Sequence, residues 1–367
     1  MATIGATAPS QNTINYDALL STTLANYRDT MVDNIFKANG FLAALKLYGG
    51  IEHQDGGERI AQPLMYEDNG TVKSYSGYDT LDTTPQDGMT TAFFPWCEVA
   101  GTISISRLEE RKNSGESAIL KLLEKKILQA EMSLKAAINS QLVLGTVSGA
   151  TFVPGNSAKD LFPLGYFLRK NNQTDPTTGG NVGNIAGATY SWWRHKTGTF
   201  ASASADTGNS LAVAVTTYKG MKAALQRLYN FCSRGADGTG PNIFLGDQIS
   251  YETYINAVQD QRYYTDDKLA QIGFDNIKVR GATFIWDELV PDVSNGTAAI
   301  TLGSVFALNT KFYKLVIDSQ TDFVTTPFIE PENQTAKTAK ILFMGNATVS
   351  NMRKLGVAYG VAQTIVT

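Results

Sequence analysis

The stretch LEERKNSGESAILKLLEKKILQAEMSLKAAINSQLVLG, residues 108–145, carries the longest helical pattern in the chain. Asn113 followed three residues later by Glu116 is a helix-start signal. Leu120, Leu123, Ile127, Ala130, Leu134, Ala137 and Leu144 then recur at spacings of three and four up to Gly145. The spacing predicts a helix over 113–144, about 30 residues and roughly 45 Å long. With no heptads elsewhere it reads as a mechanical strut. A coiled coil is the alternative, but Gln141 interrupts the stripe and no second helix approaches this length.

On its N-terminal side the chain changes character. Residues 1–15 are small and polar and read as a flexible arm. Leu20, Leu24, Tyr27, Met31 and Ile35 predict a helix from about 17 to 37, closed by Asn39-Gly40. Ile60, Leu64 and Tyr66 share one face of an extended segment, and Asp68-Asn69-Gly70 follows as a hairpin signal. Val99, Ile103 and Ile105 mark the returning strand. Between residues 52 and 89 stand eight acids (Glu52, Asp55, Glu58, Glu67, Asp68, Asp79, Asp82, Asp87) against Arg59 and Lys73, a balance of −6. An acidic hairpin with so few apolar residues at its tip cannot bury itself: it is a mobile loop or it lies on a partner. From 107 to 135 the balance is instead +2, seven bases against five acids.

Beyond the helix, residues 150–212 are rich in Gly, Ser, Thr and Asn and enclose TYSWWRHKTG, residues 189–198. So long a loop-rich segment is unusual inside a compact unit and is expected to cross the surface or a subunit boundary. From 216 the pattern is α+β. Met221, Leu225, Leu228 and Phe231 mark a helix, 243–245 a buried strand and 248–259 another helix. IKVRG and ATFIWDELV read as strands paired around Gly281, and residues 305–308 and 312–317 as a second pair. AKTAKILFMGNATV and RKLGVAYGVAQTIV close the chain as two long alternating strands.

Composition narrows the function. At 367 residues the chain can bury a large core, and charged residues are only 18%, against about 25% in ordinary domains. That deficit fits either a weakly charged polar surface or extensive contact between copies. A net charge of −3 argues against a protein that clamps nucleic acid through a basic face. Cys97 and Cys232 stand apart and read as reduced, buried thiols. The opening residues lack a secretory pattern and no apolar run is long enough for a membrane helix, so a soluble, cytoplasmically made protein is expected. There is no phosphate loop, dinucleotide fingerprint or HExxH, and two distant histidines, His53 and His195, offer neither a zinc site nor a triad. The chain is therefore expected to be no enzyme and to need no metal or cofactor. Asp260, Asp266, Asp267, Asp275, Asp287 and Glu288 are the carboxylates from which a hydrolase would draw an acid/base pair, the weakest of the readings.

The order of elements (arm, acidic hairpin, long helix, α+β section, return strands) resembles the major capsid proteins of tailed bacteriophages, which share the Hong Kong 97-type fold. The run from 54 to 69 with Gly56-Gly57, Arg59 and Pro63-Leu64-Met65-Tyr66 is similar to the start of that family's extended loop. LEERKNSGESAI, RYYTDDKLAQIGFDNIKVRGATFIWDE and FVTTPFIEPENQTAKTAKILFMGNATVSNMRKLGV are similar to the head of its long helix, its middle segment and its closing segment. The resemblance implies an α+β fold with an N-terminal arm (1–50), an extended loop (51–106), a peripheral domain (107–215) holding the spine helix, an axial domain (216–330) and return strands of the peripheral domain (331–367). It implies a head shell of hexamers and pentamers around packaged double-stranded DNA, without sequence-specific binding. Scaffolding, portal and decoration proteins are the further partners, no membrane is involved, and the place of action is the virion. An encapsulin-like nanocompartment is the alternative. In such shells the extended loop rests on a neighbour, so Asp79, Asp82 and Asp87 are expected to approach a neighbour's Lys121, Lys125 or Lys126. No motif for an inter-subunit isopeptide bond is matched. Trp192 and Trp193 are expected to anchor the surface-crossing segment, Arg194 to bond a nearby carbonyl or carboxylate, and His195 to be a bystander.

Overall fold

The computed structural model describes residues 40–112, 122–148, 151–169, 181–200, 211–212, 218–235, 238–258, 277–291, 303–332 and 335–360. Residues 1–39, with most of the expected arm and its first helix, the Asn113–Glu116 helix start, Lys121, Asp260, Asp266, Asp267 and Asp275 lie outside the described residues.

The chain enters with α1 (Gly40–Leu47), β1 (Ile51–Gln54), β2 (Ile60–Met65), β3 (Met89–Phe94) and the ten-residue β4 (Cys97–Ser106). A short α2 (Arg107–Lys112) precedes the spine helix α3 (Leu122–Val143). Small elements follow: β5 (Thr146–Ser148), β6 (Thr151–Val153), α4 (Leu164–Phe167), β7 (Asn181–Val182), β8 (Ile185–Ala186), β9 (Lys196–Thr199) and β10 (Leu211–Ala212). Then come α5 (Tyr218–Ser233), β11 (Ile243–Gly246), α6 (Gln248–Val258), β12 (Ile277–Val279), β13 (Ala282–Trp286) and β14 (Ser304–Leu308). The described chain closes with β15 (Tyr313–Asp318), β16 (Val324–Thr325), β17 (Ala336–Val349) and β18 (Gly356–Tyr359).

Two sheets organise these elements. The first is built on β17, whose first ten residues pair antiparallel with β4 from Ala336↔Ser106 to Gly345↔Cys97. Its last five residues pair with β15, and β1 joins β15 in parallel. Alternation explains the early half: Ala339, Ile341 and Phe343 are buried on the core side while Lys340 is exposed. From Gly345 onward both faces are covered. A Cβ at Gly345 would lie 2.6 Å from the Val316 carbonyl oxygen, so the change of partner strand needs a glycine there. The buried Asn346 fastens the strand to its surroundings, accepting from the Phe162 amide at 3.0 Å and donating to the Pro95 carbonyl at 2.8 Å.

The second sheet has seven strands in the order β10-β9-β18-β14-β11-β13-β12. Every residue of β11, β14 and β18 is buried, as strands covered on both faces require. One face packs on α5 and α6 through Phe244, Phe284, Leu225, Leu228 and Tyr254. The other, with Ile243, Leu245, Phe306 and Val357, joins the core that contains α3 and α1. The expected hairpin at Gly281 is present: Ile277↔Phe284 to Val279↔Ala282 close over Arg280 and Gly281, at φ 49° and 96°. Two positive φ values in a two-residue turn match the twist of the paired strands.

Three expectations fail here. Strands 305–308 and 312–317 do not pair, because β14 lies between β11 and β18 while β15 lies between β1 and β17. The expected division at 215 and 330 does not match the sheets either: β15 joins the first sheet, and β9 and β18 complete the second. Asp68-Asn69-Gly70 closes no hairpin. It makes a local turn in which the Asn69 side chain accepts from the Thr71 amide at 2.9 Å, since the residues after it offer β2 no alternating partner.

The stripe of α3 also differs in detail. Leu134, Ile138 and Leu142 are buried, whereas Ala137 is exposed. A repeat of 3.6 residues follows steps of four here, which carry the buried face past Ala137. Gln141 turns aside to the loop below, its side-chain carbonyl accepting from the Leu161 amide at 3.4 Å.

Candidate assembly surfaces

The extended loop begins as an antiparallel ribbon from Ile60↔Phe94 to Met65↔Met89. Ile60, Leu64, Ala92 and Phe94 turn inward and are buried, so the ribbon base belongs to the subunit core. Beyond Tyr66, whose amide donates to the Gly88 carbonyl at 3.0 Å, the structure gives no strand up to Gly88. This distal part exposes large apolar side chains: Val72 at 83%, Tyr75 at 67%, Tyr78 fully and Leu81 at 52%. Soluble monomers rarely collect such residues on one projection.

The loop acids hold the loop's own backbone. An Asp79 oxygen accepts from the Ser76 amide at 2.9 Å, and an Asp82 oxygen accepts from the Thr84 amide at 3.0 Å. The Thr84 hydroxyl and amide hold the Asp82 carboxyl below its usual range. Asp87 contributes its carbonyl to the Tyr66 hydroxyl at 2.8 Å. On the spine helix the Lys126 ammonium is held by Glu109 at 2.9 Å and the Ser104 carbonyl at 3.2 Å, while Lys125 is half-buried. Among the described residues no ion pair joins Asp79, Asp82 or Asp87 to Lys125 or Lys126 within the subunit. Beside Lys126, β4 and α3 enclose a groove of about 520 Å³ lined by small residues, including Ala100, Gly101, Ala130 and Ser133.

The Trp pair sits at the root of the extended loop. Trp193 is buried and its indole donates to the Val182 carbonyl at 3.0 Å. Trp192 stacks on Tyr66 with ring centres 5.2 Å apart and planes 19° apart, and meets Trp193 edge-on at 5.6 Å. Arg194 donates to the carbonyls of Gly187 at 2.6 Å and Ala188 at 2.7 Å, closing the turn beneath the rings. The β7–β8 turn completes the clamp: Phe93 donates to the Gly183 carbonyl at 3.1 Å. Gly183, at φ 61°, presses so closely on Ala92 that a Cβ would approach its methyl to 2.8 Å. Val182 and Gly183 were not singled out from the sequence: no local pattern marks them, and the Gly183 contacts, Ala92 and Phe93, lie about ninety residues away.

His195 is buried, its Nε2 2.8 Å from the Arg169 carbonyl oxygen and 3.1 Å from the Arg169 amide nitrogen. Burial pushes its pKa down to about 4. The imidazole is therefore neutral in the fold, and below pH about 6.5 the unfolded chain binds the proton first. Stability is expected to fall as pH drops from about 6.5 toward 4, by at most roughly 3 kcal/mol from this residue. His195→Gln should flatten that part of a urea-midpoint profile against pH, and an unchanged profile would contradict the assignment.

Of the carboxylates considered for hydrolysis, Asp287 is buried and structural, accepting from the Asn139 side-chain amide at 3.1 Å and the Leu289 amide at 2.9 Å. His53 is exposed, 3.2 Å from Asp322. Cys97 and Cys232 are buried free thiols, pushed by burial up to about 11 and about 12. Among the described residues no group of three or more His, Cys, Asp or Glu is arranged to hold a metal, and no helix is long and apolar enough to cross a membrane.

No family model and no curated protein matches the chain. Solved structures do. The Cyanophage A-1(L) capsid asymmetric unit aligns with a TM-score of 0.60 at 15% identity, over 92% of this chain and 97% of that one. The capsid of Myoviridae Phage XM1 aligns with a TM-score of 0.54 at 14% identity, over 92% and 97%. The SrpI encapsulin of Synechococcus elongatus PCC 7942 aligns with a TM-score of 0.52 at 10% identity, over 95% of each chain. At such identities the likeness is one of architecture, and it runs nearly end to end. The chain has the α+β Hong Kong 97-type capsid fold.

Proposed function

We propose that this chain is a major capsid protein, many copies of which close into the icosahedral head of a tailed bacteriophage around double-stranded DNA. The observation that carries the reading is the extended loop: a clamped base and a distal part whose Val72, Tyr75, Tyr78 and Leu81 the subunit leaves in water. Burying those side chains on a neighbour would supply about 25 cal/mol per Å² of apolar surface, repeated at every subunit. Hexamers and pentamers of the chain are the assembling units, with scaffolding, portal and decoration proteins as partners.

Electron microscopy of the purified protein, with any scaffold supplied, tests the proposal. Closed shells or capsomers support it, and a monodisperse monomer of 39.7 kDa would remove it. Double-stranded DNA inside shells recovered from cells supports the phage reading, whereas an enzyme cargo would assign the encapsulin-like alternative.

Within this reading the loop acids Asp79, Asp82 and Asp87 face a neighbour's Lys125 and Lys126. Lys126 already has Glu109, so Lys125 carries most of the attraction, roughly 0.2–1 kcal/mol per contact for an exposed pair. Lys125→Glu with Lys126→Glu is expected to lower shell yield at physiological salt. Wild-type yield, counted by microscopy, would eliminate the pairing.

A further inference from the structure

The turn at Asp68-Asn69-Gly70 closes no hairpin, and neither the clamp nor the assembly surfaces make use of it. One oxygen of the Asn69 side chain accepts two bonds there, from the Thr71 amide at 2.9 Å and the Thr71 hydroxyl at 2.6 Å. Asn69 and Gly70 are both exposed. Among the described residues, the nearest atom to a Cβ built on Gly70 is the Gln86 side-chain oxygen at 3.4 Å, so the backbone is open at this glycine.

Asn and Asp side chains bond the backbone two residues on in many ordinary turns. The extended loop contains the same arrangement a second time, and the comparison separates what the turn needs from what it does not. One Asp82 oxygen accepts from the Thr84 amide at 3.0 Å and from the Thr84 hydroxyl at 2.5 Å. Those two donors hold the Asp82 carboxyl below its usual range, so such a cradle favours negative charge on the oxygen. Thr83 stands between Asp82 and Thr84, where the first turn has Gly70. The turn therefore accepts a side chain at that position, and Gly70 is not at positive φ, so the backbone does not demand a glycine. What glycine does supply is an amide nitrogen with no side chain beside it. Asn69 thus presents a neutral amide in a cradle suited to an anion, next to an unhindered nitrogen. Donors already placed where an oxyanion will develop lower the barrier to its formation.

We infer that Asn69 is a self-modifying site, converted to aspartate or isoaspartate in the folded subunit with Thr71 assisting. The Gly70 amide loses its proton to solvent, and its nitrogen attacks the Asn69 side-chain carbon. A C–N bond forms, the oxygen held by Thr71 takes the charge, and the side-chain nitrogen leaves as ammonia after regaining a proton. The cyclic imide then takes up one water. Cleavage of the new C–N bond gives aspartate. Cleavage of the original peptide bond gives isoaspartate, whose backbone runs through the side chain and is longer by one carbon. Nothing is oxidised or reduced: water is consumed and ammonia released. Either product adds one negative charge to a segment already at −6, and an aspartate can keep the turn as Asp82 does. The inference goes beyond the capsid reading, and its chemistry does not depend on assembly.

The test stores the soluble chain at mildly alkaline pH and compares its tryptic peptides with a zero-time sample by liquid chromatography and mass spectrometry. Residues 60–73 form the peptide that reports Asn69. Residues 38–46 hold an internal control, Asn39-Gly40, whose glycine is buried at the start of α1. The 60–73 peptide is expected to gain the mass of an amide-to-acid conversion and to split into aspartate and isoaspartate forms while the control stays unchanged. Thr71→Val keeps the amide donor and removes the hydroxyl, and should slow conversion about fivefold, the worth of one net hydrogen bond. Thr71→Ser should restore the rate. A 60–73 peptide that stays an amide, or that converts no faster than the control, would overturn the inference. So would a Thr71→Val chain that converts at the wild-type rate. Failure of the wild type to form shells would count against the capsid reading alone, because the conversion is measured on the unassembled chain.

Discussion

Replacing residues 67–87 with the dipeptide Asn-Gly is expected to leave a subunit that folds as the wild type does and forms no closed shell. The join is sterically suited: Tyr66 and Gly88 already face each other through the bond from the Tyr66 amide to the Gly88 carbonyl, and a two-residue turn of this composition fits that register. Little of the subunit's own stability is at stake. The distal residues bond mainly to one another, as Asn69 does to Thr71, Asp79 to Ser76 and Lys73 to the Thr80 carbonyl at 2.7 Å. Shortening the loop about tenfold removes roughly 2 kcal/mol of closure entropy, which offsets the lost Tyr66–Asp87 bond. The melting temperature should therefore hold while closed particles disappear from micrographs. Shells at wild-type yield would show that the loop is not the contact on which assembly depends.

That separation between folding and assembly also describes what the sequence makes legible. β17 could be read to both ends, because Ala339, Ile341 and Phe343 share one buried face with Lys340 turned outward, and the run continues buried from Gly345 to Val349. The Gly281 turn was equally plain, since a tight hairpin demands its two positive φ values. Strand partnership was not. β14 and β15 are separated by only four residues and look like a hairpin. Yet Asn309 accepts from the amides of Lys311, Phe312 and Tyr313 and redirects the chain. Thr310 then ties that crossover to Asn242 at 3.1 Å and to the Tyr48 carbonyl at 2.8 Å. Those partners are remote in sequence, so nothing local shows that β15 enters the other sheet. The clamp was half legible for the same reason: Trp192, Trp193 and Arg194 announce themselves, whereas Tyr66 and Gly183 acquire meaning only through the fold.

The largest expected effect on stability belongs to Trp193→Ala. The indole is buried at the junction of the β7–β8 turn, the ribbon base and Trp192. Truncating such a side chain costs about 3–5 kcal/mol, and the Val182 carbonyl loses its donor as well. Trp193→Phe keeps most of the packing and forfeits chiefly that hydrogen bond, a loss of about 1 kcal/mol. Trp192→Ala separates the two roles of the pair. Trp192 is only partly buried, so its removal should lower the urea midpoint far less. The Tyr66 ring would nevertheless lose its stacking partner, and the loop neck should become the first site of limited proteolysis, within residues 66–88. The clamp therefore predicts an order for stability, with Trp193→Ala the most damaging, and a different order for neck cleavage, in which Trp192→Ala is also strongly affected. A Trp193→Ala chain within about 1 kcal/mol of wild type, or a Trp192→Ala neck as resistant as the native one, would mean that the rings fill space without holding the loop.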